Sequence, residues 1–207
     1  MSPFENDPYC YSGTDVLINH GDYRSQADLN RFEADAVFLA FAAIEANPIQ
    51  GRFDSARLKE THRRIFGNIY PWAGEFRQGI GMMGKNRSGF VVAYGPSENV
   101  PTAVGEAFAR LKVEGNLQGL DAEDFANRLA FHYGELDAIH PFREGNSRTL
   151  RAFTSDLAQA AGHRLEWARV GQTPEDRQRL YHARDLAVMR GDTAELAAII
   201  ASALAAQ

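Results

Sequence analysis

Residues 140–151 read HPFREGNSRTLR, a run that combines a titratable base, a carboxylate, a glycine turn and two arginines. The imidazole of His140 normally titrates near neutral pH, so it can accept a proton from a reacting group. Glu144 offers the oxygen ligands that Mg²⁺ takes when the ion also binds phosphates. Pro141 prevents a helix from continuing through this point, and the helical spacing from Arg148 onward predicts a new helix. The run therefore predicts a turn presented at the start of a helix.

Phosphate binding is the next property that this run predicts. The turn at residues 145–147 contributes backbone N–H groups at a helix N-terminus, where anions are stabilised. Arg148 and Arg151 are three residues apart and share one helical face, where two guanidinium groups can hold a polyphosphate. The run has no obvious nucleophile of its own. It therefore predicts transfer of a phosphorus-containing group to an outside hydroxyl that His140 deprotonates.

Each of these residues alone is more often a surface side chain at a helix–loop–helix corner, but their order resembles the motif of the Fic (Fic/Doc) family. That motif reads His-Pro-Phe, any residue, Asp or Glu, Gly-Asn, Gly or Lys, Arg, and a second Arg three residues later. Ser147 departs from it, since the family usually has glycine there. Weaker resemblance at residues 9–17 and 70–77 extends the match over nearly the whole chain. The matching residues are His140, Pro141, Phe142, Glu144, Gly145, Asn146, Arg148 and Arg151.

The resemblance implies an enzyme that binds ATP with Mg²⁺, transfers AMP to a Tyr, Ser or Thr hydroxyl of another protein and releases pyrophosphate. It implies that His140 activates the hydroxyl and that Glu144 is the Mg²⁺ ligand. It also suggests a nucleoside contact near Phe53 and Asp54. The phosphate-binding residues that it implies are Glu144, Gly145, Asn146, Ser147, Arg148 and Arg151.

Two other functions are compatible with the sequence. One branch of the family transfers phosphate instead of AMP, and it tends to have Lys at the position of Ser147. The second alternative is a decayed Fic domain that only binds a partner. Retention of His140, Glu144 and both motif arginines favours the enzyme.

The backbone conformation at residue 147 determines how well the phosphate site tolerates serine in place of glycine. A non-glycine residue with a positive φ costs about 1–2 kcal/mol, whereas a negative φ carries no penalty. The Ser147 hydroxyl can also donate to a phosphate oxygen, a contact that glycine cannot offer. The two effects are of similar size and leave the balance open, but we expect the phosphate site to be retained because every charged residue around it is intact.

Resemblance to small bacterial Fic toxins implies further partners. Topoisomerase subunits are targets of some of those toxins. Many Fic proteins are silenced by a helix with Ser or Thr, three residues, Glu, and Gly or Asn, whose Glu pairs with the second motif arginine. The only pair at this spacing is Thr102 and Glu106, and Ala107 follows it. We therefore expect a separate, small inhibitory antitoxin whose Glu reaches Arg151.

Apolar spacing predicts an all-α fold, and the resemblance makes it a Fic-type bundle of about seven or eight helices with a small β-hairpin. Residues 1–24 are expected to form an N-terminal lead-in, and residues 25–207 the Fic domain. Caps and breakers place the helices at residues 25–46, 56–66, 102–114, 121–139, 148–162, 174–190 and from 194 onward.

The exception to the helical pattern is the glycine-rich and β-prone segment at residues 78–95, which predicts a hairpin with its turn at residues 85–87. Its G-x-G-x-x-G spacing is not followed by a helix, so it does not predict a dinucleotide site. The resemblance makes this hairpin a flap that binds the target segment as an added strand. Phe90 is expected to clamp that segment.

Composition excludes several classes of protein. The 207 residues carry a net charge of -5, which argues against general nucleic-acid binding. Cys10 is the single cysteine, so an internal disulfide cannot form. The acidic N-terminus does not resemble a signal peptide, and no apolar run reaches the length of a membrane span. We therefore expect no membrane partner and a cytoplasmic protein, or one delivered to another cell by a specialised secretion system.

Overall fold

Helix α4 lies at the centre of the fold and delivers the chain to the motif. The computed structural model describes residues 7–87 and 90–205, and this part of the chain contains seven α-helices and one two-stranded antiparallel sheet. The elements are α1 (Gln26–Ala46), α2 (Ser55–Phe66), β1 (Met83–Arg87), β2 (Phe90–Tyr94), α3 (Val100–Val113), α4 (Ala122–Ile139), α5 (Asn146–Ala160), α6 (Pro174–Arg190) and α7 (Ala194–Ala203). The all-α prediction with a small hairpin is thereby confirmed.

The helix ends follow local chemistry. The Asp121 carboxylate accepts a hydrogen bond from the Asp124 amide and caps α4, as predicted. Thr173 caps α6 ahead of Pro174, as predicted, and the structure adds a reciprocal capping box between Thr173 and Asp176. Helix α5 starts at Asn146, two residues earlier than predicted, because Gly145 takes the left-handed conformation and serves as the N-cap.

Two apolar clusters hold the chain together. Helix α4 packs against α3, α5, α6 and α7 in the larger cluster. The smaller cluster joins α1, α2 and residues 10–17. The motif lies where the clusters meet, since Phe142 is in the larger one and Phe66, whose ring contacts the motif, is in the smaller one. The domain boundary near residue 24 stays a prediction.

The position of the hairpin turn differs from the prediction. Residues 85–87 belong to β1, and the ladder continues to the pair Arg87 and Phe90. Cross-strand pairing, which begins at Met83 opposite Tyr94, fixes this register and leaves two residues between the strands. These two residues, 88 and 89, lie outside the described part of the chain.

Within residues 7–87 and 90–205, none of the helices combines the length and the hydrophobicity that crossing a bilayer requires.

Candidate active site

His140 ends α4 in an unusual backbone conformation that carries its ring into a cleft. Its φ of 51° is left-handed, its amide still donates to the Leu136 carbonyl, and Pro141 prevents another helical turn. The ring is only 1% exposed and stacks on Tyr94 with centroids 3.9 Å apart. Neither ring nitrogen has a hydrogen-bond partner among the described residues.

The electrostatic surroundings keep His140 neutral. Burial, followed by the nearby positive charge of Lys85, lowers the pKa of His140 to about 3. The imidazole is therefore uncharged at neutral pH, and one of its nitrogens carries a free lone pair. This is the state in which a histidine accepts a proton.

Asn146 closes the turn through its side chain. Its amide oxygen accepts from the Phe142 N–H at 2.9 Å, and its amide nitrogen donates to the Phe142 carbonyl at 2.7 Å. The Asn146 side chain is buried in this contact, so only its backbone N–H is directed toward the end of α5. The phosphate contact expected of Asn146 is thus limited to its main chain.

Gly145 is required by both backbone and space. Its φ is +82°, in the region that favours glycine, and a Cβ built there would lie 2.3 Å from the Phe66 ring. The turn therefore comes so close to the Phe66 ring that no side chain fits between them. This approach places the first amides of α5 at the surface of the cleft.

Ser147 causes no backbone strain. It is the second residue of α5 and is not among the described residues with a positive φ, so the penalty considered above is not incurred. Its hydroxyl oxygen accepts a hydrogen bond from Arg184 of α6 at 3.1 Å. The residue at the glycine position of the family motif is therefore hydrogen-bonded to a neighbouring helix in this protein.

Glu144 is held as a charged carboxylate. One oxygen accepts from the Gly145 amide at 2.8 Å, and the other lies 3.9 Å from the ammonium of Lys85. Burial alone would raise the pKa of Glu144, but Lys85, this amide and Arg148 together hold that pKa below its usual range. One carboxylate facing the cleft suits Mg²⁺, which binds through few protein ligands together with phosphate oxygens.

The two motif arginines lie one turn apart on α5. Arg148 donates to Glu33 of α1 at 2.5 Å and lies 4.7 Å over the ring of Phe66. Arg151 lies 5.7 Å over the ring of Trp167. The aromatic faces and Glu33 orient the guanidinium groups, which spares part of the entropy cost of ordering them on a ligand.

The cleft has a volume of about 470 Å³ and brings together most of the predicted site residues. The motif residues that line it are His140, Glu144, Gly145, Asn146, Ser147, Arg148 and Arg151. Lys85, Tyr181 and Arg184 line it as well.

Two predicted contacts lie elsewhere among the described residues. Phe53 packs edge-on against Phe153 with centroids 5.6 Å apart, and Asp54 caps α2 by accepting from the Arg57 amide. Neither residue is among those that line the cleft, and their nucleoside contact stays a prediction. The backbone of Phe90 is in β2, but its side chain lies outside the described part of the structure, so its docking role also stays a prediction.

Arg77 is a positioning residue that single-residue reasoning did not identify. It is buried, and its guanidinium donates to the carbonyls of His140 at 2.8 Å and Gly95 at 2.6 Å. Its own amide donates to the Pro141 carbonyl at 2.9 Å. One side chain therefore joins the motif to the base of the flap. The sequence feature that could have identified Arg77 is its position at the end of residues 70–77, which resemble the family.

His62, Lys85 and Arg184 were also missed. His62 of α2 lies beneath the motif, where its Nε2 is 3.0 Å from the Glu144 carbonyl. Lys85 reaches the cleft from β1, and Arg184 reaches it from α6. The sequence around each of these three residues contains no pattern that distinguishes it from neighbouring basic residues.

Comparison with known proteins decides the family. The sequence profile described as Fic/DOC family matches residues 52–158, which is about half of the chain. The chain belongs to the Fic/DOC family. Within it, the chain is 34% identical over 165 residues to the probable protein adenylyltransferase y4lH of Sinorhizobium fredii, a match that covers 79% of this chain and 81% of that protein.

Two further Fic proteins are similar to it. The protein adenylyltransferase VbhT of Bartonella schoenbuchensis is 38% identical over 165 residues, which covers 80% of this chain and 33% of VbhT. The chain thus matches only about a third of VbhT. The N-terminal Fic domain of a VirB-translocated Bep effector protein from Bartonella quintana, solved with bound ADP, is 26% identical. That comparison covers 96% of this chain and 95% of the other, with a TM-score of 0.84.

Proposed function

We propose that this protein is an adenylyltransferase that moves AMP from ATP to a hydroxyl side chain of a target protein. The observation that carries the proposal is the buried, neutral ring of His140, whose nitrogens lack partners in the described structure, beside the N-terminus of α5. A base next to an anion site is the arrangement that attack of a hydroxyl on a phosphate requires.

The chemical step is a displacement at the α-phosphorus. The target hydroxyl oxygen forms a bond to the α-phosphorus, the bond from that phosphorus to the bridging oxygen of the β-phosphate breaks, and pyrophosphate leaves. The hydroxyl proton passes to the free nitrogen of His140. The stacked Tyr94 and the Arg77 hydrogen bond to the His140 carbonyl fix the ring and its backbone, so little reorganisation accompanies the transfer.

Backbone amides and basic side chains from several elements balance the negative charge of the phosphates. The first amides of α5 point at the α-phosphate, where the helix dipole also favours negative charge. Arg148 and Arg151 bind the β- and γ-phosphates, and Lys85 adds a positive charge from the flap. These preorganised donors stabilise the charge that grows on the leaving pyrophosphate.

Magnesium is the expected ion, with Glu144 as its protein ligand. When bound, Mg²⁺ neutralises phosphate charge and fixes the geometry of the leaving group. Glu144 would hold the ion, and Lys85 and Arg148, which both lie near this carboxylate, would supply positive charge to the phosphates. The lowered pKa keeps this carboxylate ionised, and its side chain is 33% exposed, which suits a ligand that must reach an ion in the cleft.

Changing Glu144 to Ala tests this assignment. The variant should still bind nucleotide through the α5 amides and the arginines, but its transfer rate should fall on the order of 10²-fold because Mg²⁺–ATP is no longer held productively. Steady-state rates at increasing Mg²⁺ measure the effect. A full rate at ordinary Mg²⁺ would show that Glu144 is not the metal ligand.

The flap is the proposed docking site for the target. Strands β1 and β2 pair only with each other among the described residues, which leaves a strand edge available to an extended segment. Val91 and Met82 are strongly exposed on this hairpin. The target segment adds to this edge with its hydroxyl toward His140, and Phe90 clamps it.

An inhibitory partner fits next to the arginines. A second cleft of about 910 Å³ shares Arg148 and Arg151 with the first one and continues along α1 past Phe41 and Ile44. A helix of a small antitoxin in this cleft would bring a Glu carboxylate to Arg151 and compete with the γ-phosphate. Mixing the enzyme with ATP and a candidate antitoxin tests whether the block acts on nucleotide binding.

The wider role that we propose is that of a bacterial toxin or effector acting on a Tyr, Ser or Thr of a protein target. A topoisomerase subunit is the first target to test, either in the cytoplasm of the producing cell or in a recipient cell after secretion. Mass spectrometry of the labelled protein in a lysate identifies the target and the modified residue.

Labelled ATP distinguishes the candidate reactions. Label retained on a protein from the α-phosphate supports AMP transfer, and label retained only from the γ-phosphate shows phosphorylation instead. A protein that binds ATP and transfers neither label acts as a binding module. The His140→Ala variant, assayed in parallel, shows whether the labelling depends on the proposed base.

A further inference from the structure

Arg184 provides a contact to the motif that the family pattern does not include. It belongs to α6, and its side chain is 2% exposed. Two of its nitrogens bind the carboxylate of Asp137 in α4 at 2.9 and 2.7 Å, a bidentate pair with fixed geometry. The guanidinium therefore has little freedom to turn.

The remaining nitrogen of this fixed group determines how Ser147 is placed. Nη1 of Arg184 donates to the Ser147 hydroxyl at 3.1 Å. A hydroxyl has two lone pairs and a single proton, so accepting this bond leaves the proton available for donation. Donation from a guanidinium also polarises the hydroxyl and strengthens the bond that it donates in turn.

The direction of that free proton follows from the position of Ser147. The residue is the second of α5, beside the amides that form the anion site, and it lines the cleft together with His140 and Arg151. An oxygen of a bound phosphate is the acceptor that this position offers. Glycine, which the family usually has here, provides the amide but not the hydroxyl.

We propose that the Ser147 hydroxyl binds a phosphate oxygen of the nucleotide, and that Arg184 is the positioning residue that orients and polarises this hydroxyl. The pair adds a donor to the anion site, and the departure from glycine is thereby a gain in nucleotide binding. The inference rests on the proposed function, since it takes the ligand of the cleft to be a nucleotide polyphosphate.

Calorimetric binding of ADP tests Ser147 directly. Ser147→Ala and Ser147→Gly should each weaken ADP binding by about tenfold, the value of one hydrogen bond to a charged group. Ser155→Ala, a serine on the same helix just over two turns further on, should leave ADP affinity unchanged. Equal affinity of wild type and Ser147→Ala would overturn the inference.

The role of Arg184 needs a double-mutant cycle, because the pair with Asp137 also stabilises the fold. Arg184→Lys should weaken ADP binding by about fivefold when residue 147 is serine, since Lys lacks the planar fork, and should have no further effect in the Ser147→Gly background. If Arg184 only stabilised the fold, Arg184→Lys would weaken ADP binding equally in both backgrounds. That result would overturn the proposed positioning role of Arg184. Arg179→Lys on the exposed face of α6 is the matched control.

Transfer assays separate this inference from the proposed function. If the wild type transfers AMP and Ser147→Ala binds ADP equally well, the inference fails and the function stands. If the wild type transfers no AMP but the binding cycle shows the expected coupling, the function fails and the inference stands. If Arg184→Lys does not fold, ADP binding by the Ser147 variants still tests the inference, because substituting Ser147 removes no charged group.

Discussion

His62 and His140 occupy similar surroundings on opposite sides of the motif turn. His62 is 0% exposed and stacks on Phe142, whereas His140 is 1% exposed and stacks on Tyr94, each with ring centroids 3.9 Å apart. Burial lowers the pKa of His62 to about 4 and that of His140 to about 3. Neither burial, stacking nor the lowered pKa distinguishes His62 from His140, the proposed base.

Hydrogen bonding separates the two histidines. The Gly74 amide donates to Nδ1 of His62 at 2.8 Å, which leaves Nε2 as the donor to the Glu144 carbonyl at 3.0 Å. Both nitrogens of His62 are therefore occupied, and the ring supports the turn from below. His140 has no such partners within the described chain, so its lone pair is available to a substrate. Nitrogens without a partner at a cleft are the feature that favours His140 over His62 as the proposed base.

The largest effect is expected from His140→Ala. Loss of the base should reduce AMP transfer by about 10²–10⁴-fold, because the target hydroxyl must then attack while still protonated. ADP binding should be retained, since the ring acts on the acceptor and not on the phosphates. Transfer rates and calorimetry on the same preparation measure both.

A near wild-type transfer rate in this variant would mean that another group deprotonates the target. A parallel loss of ADP affinity would mean that His140 shapes the phosphate site instead, and the contrast with His62 would disappear.

His62→Ala should act on stability first. The variant leaves a cavity under Phe142 and removes the partners of the Gly74 amide and the Glu144 carbonyl, which together cost about 4 kcal/mol of unfolding free energy. Thermal unfolding of this variant, with exposed His20→Ala as the control, measures the cost. Retained stability with a loss of transfer as large as in His140→Ala would show that His62 takes part in the chemistry.

The pH dependence of stability follows from the lowered pKa values. In the unfolded chain both rings titrate near 6.5, so between pH 6.5 and about 4 the unfolded state binds more protons than the folded state. The unfolding free energy therefore falls as pH falls through this window and is unaffected by these groups above it. His62 alone contributes about 3 kcal/mol across the window.

Chemical denaturation of wild type and His62→Gln at several pH values checks this contribution. The variant should lose less stability on acidification than the wild type. Identical curves for the two proteins would show that His62 is not kept neutral by burial in the folded state.

The motif was predictable because its parts are contiguous in the chain. His140, Glu144 and the arginines are brought together by one turn and one helix, whose geometry follows from Pro141 and Gly145. Arg184 and Lys85 come from α6 and β1, and only tertiary packing places them in the cleft. Sequence alone gives α6 several arginines and no means of distinguishing the buried one.

Register and helix ends were the weaker part of the prediction. Helix α3 begins at Val100, where a short 3₁₀ turn leads into it, and not at Thr102. Strand β1 extends through the predicted turn to Arg87 because of cross-strand pairing, which a single strand does not encode. The hydrogen bonds that distinguish His62 from His140 also depend on packing between elements distant in sequence.

The smallest effect is expected from Glu106→Gly, which tests whether inhibition is internal. Glu106 is exposed on α3 and lines a shallow depression with Arg110 and Glu114, away from the residues that line the active-site cleft. The transfer rate should change by less than about twofold, as for other surface substitutions. An inert wild type that Glu106→Gly activates would show that the inhibitor is part of this chain.

Arg77 has a consequence for how the molecule moves. Its guanidinium donates to the carbonyls of His140 in the motif and of Gly95 at the base of the hairpin, and its amide donates to the Pro141 carbonyl. Swinging the flap away from the cleft would break a charge-assisted bond in a buried place, so such motion is coupled to local opening of the segment that carries the base. Opening at the base of the hairpin and opening at the His140–Pro141 segment should therefore occur as one cooperative event.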